Sequence, residues 1–248
     1  MNDIYLGLKF AFSYYSIVPI RFNEKDDLSK KEVLGYMQGF FPLVGLVISS
    51  MSVGLYFLLE QLSWFGGVIS AVSYIALYGF LHFDAVMDVT DGIYAKHSGK
   101  DAYAIIKDPT VGALGVLWTI SFLLIKISGL VYLFSKGLFL EVIAVCIVSR
   151  FILLLFIKKE KFKSSFVDIL QKSLSDKILI YTFFAVFVIG LLLVQTHFIV
   201  IFILGIIFSF SLLKIIVHKL GFLNGDGLGS VLEGTEILLF ISVALLWQ

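Results

Sequence analysis

Long apolar segments alternate with short polar segments along most of this chain. About 20 apolar residues are needed for a helix to cross the hydrocarbon core of a membrane, and seven segments meet that requirement. The alternating pattern typical of membrane β-strands does not repeat along the chain, so the spans are predicted to be helical. The predicted spans cover residues 36–59, 64–83, 111–134, 137–157, 178–195, 198–216 and 231–247.

Two further apolar segments are predicted to lie at the membrane surface. Segment 4–20 is interrupted by Lys9 and Pro19, which favours an interfacial or re-entrant helix over an eighth span. In segment 158–177, apolar residues recur at helical spacing with lysines between them, which is typical of an amphipathic helix in the headgroup layer. A solvated basic connector with an apolar stripe is the alternative. The stripe consists of Phe162, Phe166, Ile169, Leu170 and Leu174.

Composition supports this assignment to the membrane. Of the 248 residues, 59% are hydrophobic and 15% are charged, and the mean hydropathy is +1.00; soluble proteins have about 25% charged residues. The net charge of +1 implies no nucleic-acid partner. The single cysteine, Cys146, excludes an intramolecular disulfide and a cysteine-based zinc site. We expect an all-α, polytopic membrane helix bundle in one domain, residues 1–248, and the glycines in its spans would permit a homo-oligomer.

The distribution of basic residues predicts the orientation of the chain. Threading the seven spans in turn assigns the segment before the first span and the loops 84–110, 158–177 and 217–230 to one face, and leaves only Lys136 on the other. By the positive-inside rule the first face is cytoplasmic, so we expect a multi-pass protein of the cell membrane in contact with lipid. The basic residues on that face are Arg21, Lys25, Lys30, Lys31, Lys96, Lys100, Lys107, Lys158, Lys159, Lys161, Lys163, Lys172, Lys177, Lys214 and Lys219.

Three aspartates follow the second predicted span. At about 100° per residue, Asp84, Asp88 and Asp91 fall within about 60° of one helix face. Their like charges repel, and a divalent cation would relieve the repulsion. Oxygen ligands suit Mg²⁺, which usually binds one or two carboxylates plus substrate phosphates. A solvated helix end is the alternative, but an acid near the membrane centre costs roughly 2.5–3.5 kcal/mol, so such acids are rarely accidental.

A second polar cluster opens the last predicted span. Stretch 224–230 is rich in glycine and contains Asp226, and Glu233 and Glu236 follow on the first turns of the helix. Glycines allow close approach of the backbone to a ligand, and N–H groups at a helix N-terminus favour phosphate. Threading places this turn on the same face as the three aspartates. The alternative is a helix N-cap with acids that compensate the helix dipole.

A third polar stretch lies between these two clusters. Lys107 is a candidate phosphate contact, whereas Asp108 before Pro109 is typical of a turn and helix start. Gly112 and Gly115 indicate close packing between helices. By itself this stretch indicates a structural role.

In their order along the chain these motifs resemble cobalamin synthase, the adenosylcobinamide-GDP ribazoletransferase family of bacteria and archaea. The resemblance extends from about residue 8 to residue 245. Two departures are Ala85, where the family usually has glycine, and the stretch 16–19, which lacks the arginine that the family tends to carry there; Arg21 follows it. The shared motifs are Pro42-Leu-Val-Gly45, His82-x-Asp84-x₃-Asp88-x₂-Asp91-Gly92, Lys107-Asp108-x₃-Gly112-Ala-x-Gly115, and Gly225-Asp226-x-x-Gly229 with Glu236.

The resemblance implies an enzyme that joins α-ribazole, or its 5′-phosphate, to adenosylcobinamide-GDP. Such an enzyme releases GMP and forms adenosylcobalamin or its phosphate, a late step of cobalamin biosynthesis. On this expectation Asp84, Asp88, Asp91, Asp226 and Glu236 provide ligands for Mg²⁺, and one of Asp88, Asp91 or Asp226 accepts the proton of the attacking hydroxyl. The candidate substrate contacts are Lys107, Asp108, Arg150, Gly225 and Gly229.

Two other functions fit an acidic cluster in a membrane protein. A CDP-alcohol phosphotransferase also splits a nucleotide diphosphate with spaced aspartates, but its signature includes an arginine, and this chain has none near the cluster. A secondary transporter would use the acids for ion coupling. Such transporters often have inverted repeats and acids at mid-membrane, whereas this chain shows no repeat and its acids are predicted at the cytoplasmic ends of spans.

Overall fold

The structure is a computed structural model that describes residues 2–247. In that part of the chain all regular secondary structure is α-helical, apart from a short 3₁₀ helix at Glu60–Leu62. The helices are α1 (Asp3–Tyr15), α2 (Lys31–Gly39), α3 (Phe41–Leu58), α4 (Trp64–Leu77), α5 (Leu81–His97), α6 (Ala102–Lys107), α7 (Ala113–Ser135), α8 (Phe139–Lys159), α9 (Ser165–Ser173), α10 (Asp176–Val194), α11 (His197–Leu220) and α12 (Gly225–Leu246).

Six of these helices are long and apolar enough to cross a membrane: α3, α7, α8, α10, α11 and α12. The number rises to seven if α4 and α5, which are joined by a bend of 78°, count as one span. The predicted all-α, polytopic membrane bundle is therefore confirmed. Its centre is α8, in which every residue from Val142 to Leu154 is buried.

The first predicted span begins later than expected. Residues 36–39 belong to α2, and α3 starts at Phe41 with Pro42 in its first turn. Proline has no backbone N–H, and its ring clashes with the carbonyl four residues earlier, so a continuous helix through this point would be broken. The chain uses the proline to start a new helix instead.

The second predicted span, residues 64–83, is not one straight helix. α4 ends at Leu77, and α5 starts at Leu81 after Gly79 and Phe80, which both have positive φ angles, of 68° and 56°. Glycine ends a helix readily because it enters the left-handed region without a steric penalty. The acidic run therefore lies on a separate helix that turns sharply away from α4.

The two predicted surface segments are helical. α1 has 13 residues, too few to span a bilayer, in keeping with the prediction that segment 4–20 is not an eighth span. α9 forms within segment 158–177, but its apolar stripe is divided. Leu170 and Leu174 are buried against the protein, whereas Phe166 and Ile169 are 41% and 50% exposed. Only part of the stripe is therefore free to contact lipid.

The last helix begins earlier than predicted, at Gly225 instead of residue 231. Asn224 caps it, because its side-chain Oδ1 accepts a hydrogen bond of 2.9 Å from the N–H of Gly227. The predicted glycine-rich turn is thus the first turn and a half of α12. Close packing explains the glycine at residue 229, since a Cβ there would lie 2.7 Å from the Cβ of Ala85 on α5.

Candidate active site

The aspartates of α5 and Asp226 in the first turn of α12 form one acidic cluster. α5 and α12 pack against each other, and the Ser230 hydroxyl donates to the Ala85 carbonyl at 2.9 Å. Asp88 has Asp84 and Asp226 as acidic neighbours, and Lys107 is the basic group near both Asp88 and Asp226. The structure therefore brings together residues that are about 140 positions apart in the sequence.

Asp91 differs from the other acids because its carboxylate is already occupied. Its two oxygens accept hydrogen bonds from the backbone N–H groups of Gly112, at 2.7 Å, and Gly115, at 2.9 Å. These N–H groups belong to the start of α7, so Asp91 caps that helix from α5. A Cβ on either glycine would collide with this carboxylate. The close packing expected from the two glycines is thus an approach between a helix start and a carboxylate.

Gly115→Ala is expected to lower both stability and activity. The added methyl would lie 2.5 Å from an oxygen of Asp91, so the carboxylate has to move and gives up its hydrogen bonds. Losing a helix cap costs about 0.5–2 kcal/mol, and α5 would shift with its other aspartates. A lower thermal midpoint in detergent and slower turnover would show this. Gly54→Ala is the matched control, because a Cβ there meets nothing within 4 Å; equal behaviour of the two variants would contradict the cap.

A cavity of about 280 Å³ adjoins the acidic cluster. Asp226 and Lys107 belong to its lining, so a ligand in the cavity is within reach of the cluster. Tyr14 and Phe166 bring α1 and α9 to the same cavity. The two surface helices thus form part of the wall of the candidate active site.

The other predicted substrate contacts divide into two groups. Gly225 and Gly229 line the cavity, although Gly229 is buried and its close neighbours are on α5. Asp108 is exposed and binds its own turn, with its Oδ1 accepting from the Thr110 N–H at 2.8 Å and from the Thr110 hydroxyl at 2.6 Å. These hydrogen bonds lower the pKa of Asp108 below its usual value. Asp108 therefore forms the turn that its sequence context indicates, and its contact with substrate stays a prediction.

Glu236 and Arg150 lie away from the acidic cluster, contrary to expectation. Glu236 follows Asp226 by ten residues on α12, about 15 Å along the axis. Its Oε1 accepts from the Arg150 Nη1 at 2.6 Å, and its Oε2 lies 2.7 Å from the Lys126 Nζ. All three side chains are at most 1% exposed. The expected roles of Glu236 as a metal ligand beside Asp226 and of Arg150 as a phosphate contact do not fit this position, because each already neutralises the other.

The carboxylates of Asp84, Asp88 and Asp226 are oxygen ligands of the kind that Mg²⁺ prefers. Within residues 2–247, no three Asp, Glu, His or Cys side chains converge on a ready-made chelating site. Mg²⁺ does not need one, since it usually binds one or two carboxylates together with phosphate oxygens and water. Asp84 is exposed and Asp88 and Asp226 are half-buried. They are therefore accessible to an ion that arrives with a diphosphate, whereas both oxygens of Asp91 are engaged.

Comparison with known proteins identifies the family. The profile of the family described as cobalamin-5-phosphate synthase matches residues 7–244, nearly the whole chain. This chain belongs to that family. Adenosylcobinamide-GDP ribazoletransferase of Clostridium perfringens strain 13 is 31% identical over 257 residues, covering 96% of this chain and 98% of the relative. The enzyme of that name from Brevibacillus brevis is 29% identical over 244 residues, covering 96% and 97%. No solved structure matches the chain.

This member of the cobalamin-5-phosphate synthase family also has an ion network inside its membrane spans. Lys126 and Arg150 face Glu233 and Glu236, with 2.5 Å between the Lys126 Nζ and the Glu233 Oε2. Tyr78 donates to Glu233 at 2.9 Å, and Tyr74 donates to Glu236 at 3.0 Å. The two cations balance the two anions, so the network is electrically neutral. We call Lys126, Arg150, Glu233 and Glu236 the buried quartet.

The buried quartet was missed by reasoning from the sequence, although a signal was present. Lys126 and Arg150 stand alone in apolar spans, and charged residues inside a membrane almost always face the protein interior and pair. Glu233 and Glu236, three residues apart on another span, are the matching acids. Counting intramembrane charges of both signs would therefore have predicted the pairing, but not which cation meets which acid.

Proposed function

We propose that this chain is an adenosylcobinamide-GDP ribazoletransferase that acts at the α5–α12 acidic cluster. The observation that carries the proposal is that Asp84 and Asp88 neighbour Asp226 and Lys107. Asp226 and Lys107 line one cavity, in a chain of the cobalamin-5-phosphate synthase family. The substrates are adenosylcobinamide-GDP and α-ribazole or its 5′-phosphate. The products are GMP and adenosylcobalamin or its phosphate.

The reaction is a phosphoryl transfer, in which the protein contributes mainly positioning and charge neutralisation. A hydroxyl oxygen of α-ribazole forms a bond to the phosphorus that carries the cobinamide arm, and the bond from that phosphorus to the GMP oxygen breaks. Lys107 is placed to contact the diphosphate, since it neighbours both Asp88 and Asp226. Asp88 or Asp226 accepts the proton of the attacking hydroxyl. Asp91 is not the proposed base, because both of its oxygens already accept hydrogen bonds from N–H groups at the start of α7.

We propose that Asp84, Asp88 and Asp226 hold Mg²⁺ together with the diphosphate. When bound, the ion would neutralise the charge that develops on the departing GMP. This donor set excludes Glu236, whose carboxylate is bound by Arg150 and Lys126. Asp91 is not a ligand in this proposal. Its hydrogen bonds to the start of α7 hold α5 in position, and with it Asp88 and Asp84, one and two turns earlier.

The proposed orientation places this site at the cytoplasmic face of the cell membrane. The support is the excess of Lys and Arg in the segments on that side of the predicted spans. Nucleotide substrates are cytoplasmic, so the orientation and the reaction agree. Labelling of a cysteine introduced at exposed Lys100, in right-side-out and inverted vesicles, tests the orientation independently of activity; preferential labelling in right-side-out vesicles would contradict it.

Product analysis tests the reaction and its metal requirement. The purified protein in lipid vesicles is incubated with adenosylcobinamide-GDP and α-ribazole, with Mg²⁺ or with excess chelator. We expect GMP and the complete corrinoid only when both substrates and Mg²⁺ are present, and a return of activity when Mg²⁺ is added back after chelation. Chromatography of the products measures both.

The same assay separates the alternatives. Full GMP formation in excess chelator would contradict the metal site but not the reaction. Release of CMP from a CDP-linked lipid, with no GMP from adenosylcobinamide-GDP, would replace the proposed function by that of a CDP-alcohol phosphotransferase. Movement of an ion-coupled solute into the vesicles, without any cleavage of diphosphate, would indicate a transporter.

A further inference from the structure

A second cavity, of about 830 Å³, lies between α5, α7, α11 and α12. It is on the opposite side of α5 from the acidic cluster. At about 100° per residue, Val86, Val89 and Ile93, which line it, lie about 140–200° around the helix from Asp84. A molecule in this cavity is therefore separated from the reacting groups by the body of α5.

The walls of this cavity are apolar, and the cavity opens between α7 and α11. Phe122 on α7 and Leu212 on α11 line it together with the valines of α5. Trp118 and Ile215, on the same two helices, are 47% and 50% exposed. Both helices are membrane spans, so the opening between them faces the lipid. An acyl chain is the apolar group that a membrane supplies at such an opening.

One end of the cavity is basic. Lys96 and His97 belong to the last turn of α5, and His218 and Lys219 belong to the last turn of α11, so two helix C-termini bring four basic side chains to one rim. Among the described residues, no carboxylate lies within 4.0 Å of the ammonium group of Lys96 or Lys219. The positive charge of this rim is therefore available to an anionic ligand.

The aromatic residues at the rim mark the depth of a headgroup. The Trp118 Nε1 donates to the Tyr94 hydroxyl at 3.2 Å, and both residues line the cavity. Tryptophan and tyrosine concentrate at the level of lipid headgroups, and basic pockets between helices at the cytoplasmic side bind anionic headgroups. The basic rim, the aromatic pair and the apolar walls thus follow each other in the order of phosphate, interface and acyl chain.

We propose that this cavity binds one anionic phospholipid, with its phosphate between Lys96 and Lys219 and an acyl chain along α5 between α7 and α11. The basic rim and the apolar walls together favour this ligand over a soluble phosphate, which would contact the rim but not the walls. They also favour it over a second copy of the chain, because the rim carries four basic groups and would need an acidic partner surface. The bound lipid would fill the space behind α5 and support that helix.

Lipid retention tests the proposal. The protein is exchanged into nanodiscs of phosphatidylcholine with a small fraction of phosphatidylglycerol, and retained lipid is measured by native mass spectrometry after release into detergent. A Lys near an anionic surface contributes about 1 kcal/mol, so the double variant Lys96→Gln/Lys219→Gln should bind phosphatidylglycerol about 30-fold more weakly than wild type. Lys100→Gln, which removes a nearby exposed lysine outside the cavity lining, should bind it as wild type does.

Further arms of the experiment identify the ligand. Glycerophosphoglycerol, the headgroup without acyl chains, should fail to displace the lipid at concentrations at which full phosphatidylglycerol does. Equal lipid retention by wild type and the double variant would overturn the proposal. Displacement by the headgroup alone would replace it with a soluble-phosphate site, and a dimer that dissociates in the double variant without change in lipid content would replace it with a protein interface. Displacement by adenosylcobinamide-GDP would assign the cavity to substrate.

Discussion

Asp88→Asn is expected to lower the rate of GMP release by about 10²–10⁴-fold, the range that a positioned acid–base group contributes. Asp88 has three acidic neighbours, Asp84, Asp91 and Asp226, and one basic neighbour, Lys107. The amide has nearly the same shape as the carboxylate, but it can neither accept the hydroxyl proton nor neutralise a cation. We therefore expect loss of turnover with unchanged membrane insertion and thermal midpoint.

The control for this variant is Glu24→Gln, which removes an exposed carboxylate on the same predicted face and far from the cluster in sequence. Its rate should equal that of wild type. Asp91→Asn provides the contrast, because it should lower the thermal midpoint as well as the rate through loss of the α7 cap. A rate within threefold of wild type for Asp88→Asn would remove Asp88 from both the metal site and proton transfer.

Glu236→Ala is expected to have the largest effect on folding. The substitution leaves Arg150 and Lys126 in the core with one carboxylate between them, and breaking a buried ion pair by removing one partner costs about 3–5 kcal/mol. The cost is high because Arg150 and Lys126 are at most 1% exposed, so the positive charge left without a partner stays buried. Thermal unfolding in mild detergent and the fraction of protein extracted in folded form measure the effect.

A neutral double variant separates the charge effect from the loss of packing. Lys126→Met/Glu233→Gln removes one cation and one anion and leaves the Arg150–Glu236 pair intact. We expect it to be more stable than either single variant, with a coupling energy of about 0.5–3 kcal/mol in the double-mutant cycle. A Glu236→Ala protein that unfolds like wild type but is inactive would contradict the structural role and return Glu236 to the metal site.

Helical periodicity predicted part of the acidic cluster. Spacing alone placed Asp84, Asp88 and Asp91 on one face of one helix, and the structure keeps them on α5. It did not distinguish Asp91 from its neighbours, because that distinction depends on the N–H groups of Gly112 and Gly115. A cap made by a side chain more than 20 residues away leaves no local pattern except the two glycines.

Helix boundaries near the site were predicted less well than the helices themselves. Hydropathy joined residues 64–83 into one span because α4 and the start of α5 are both apolar. Hydropathy carries no information on a change in the direction of the helix axis. The bend is decided by the backbone of Gly79 and Phe80. The start of α12 was misplaced for a related reason, since glycines have low helix propensity, whereas the packing of Gly229 on Ala85 favours the helix there.

Hydropathy and residue spacing are sufficient to predict the class of the protein, the approximate position of its spans and the acidic face of α5, and its motifs are sufficient to predict the family. These features are periodic or local, and the cost of exposing polar groups to lipid enforces them. Which charged side chains pair with each other depends on how the helices pack. Asp226 joins the aspartates of α5, while Glu236, ten residues further on the same helix, pairs with Arg150 and Lys126. Electrostatic pairing depends on distances between side chains on different helices, and those distances cannot be predicted from the sequence of one segment.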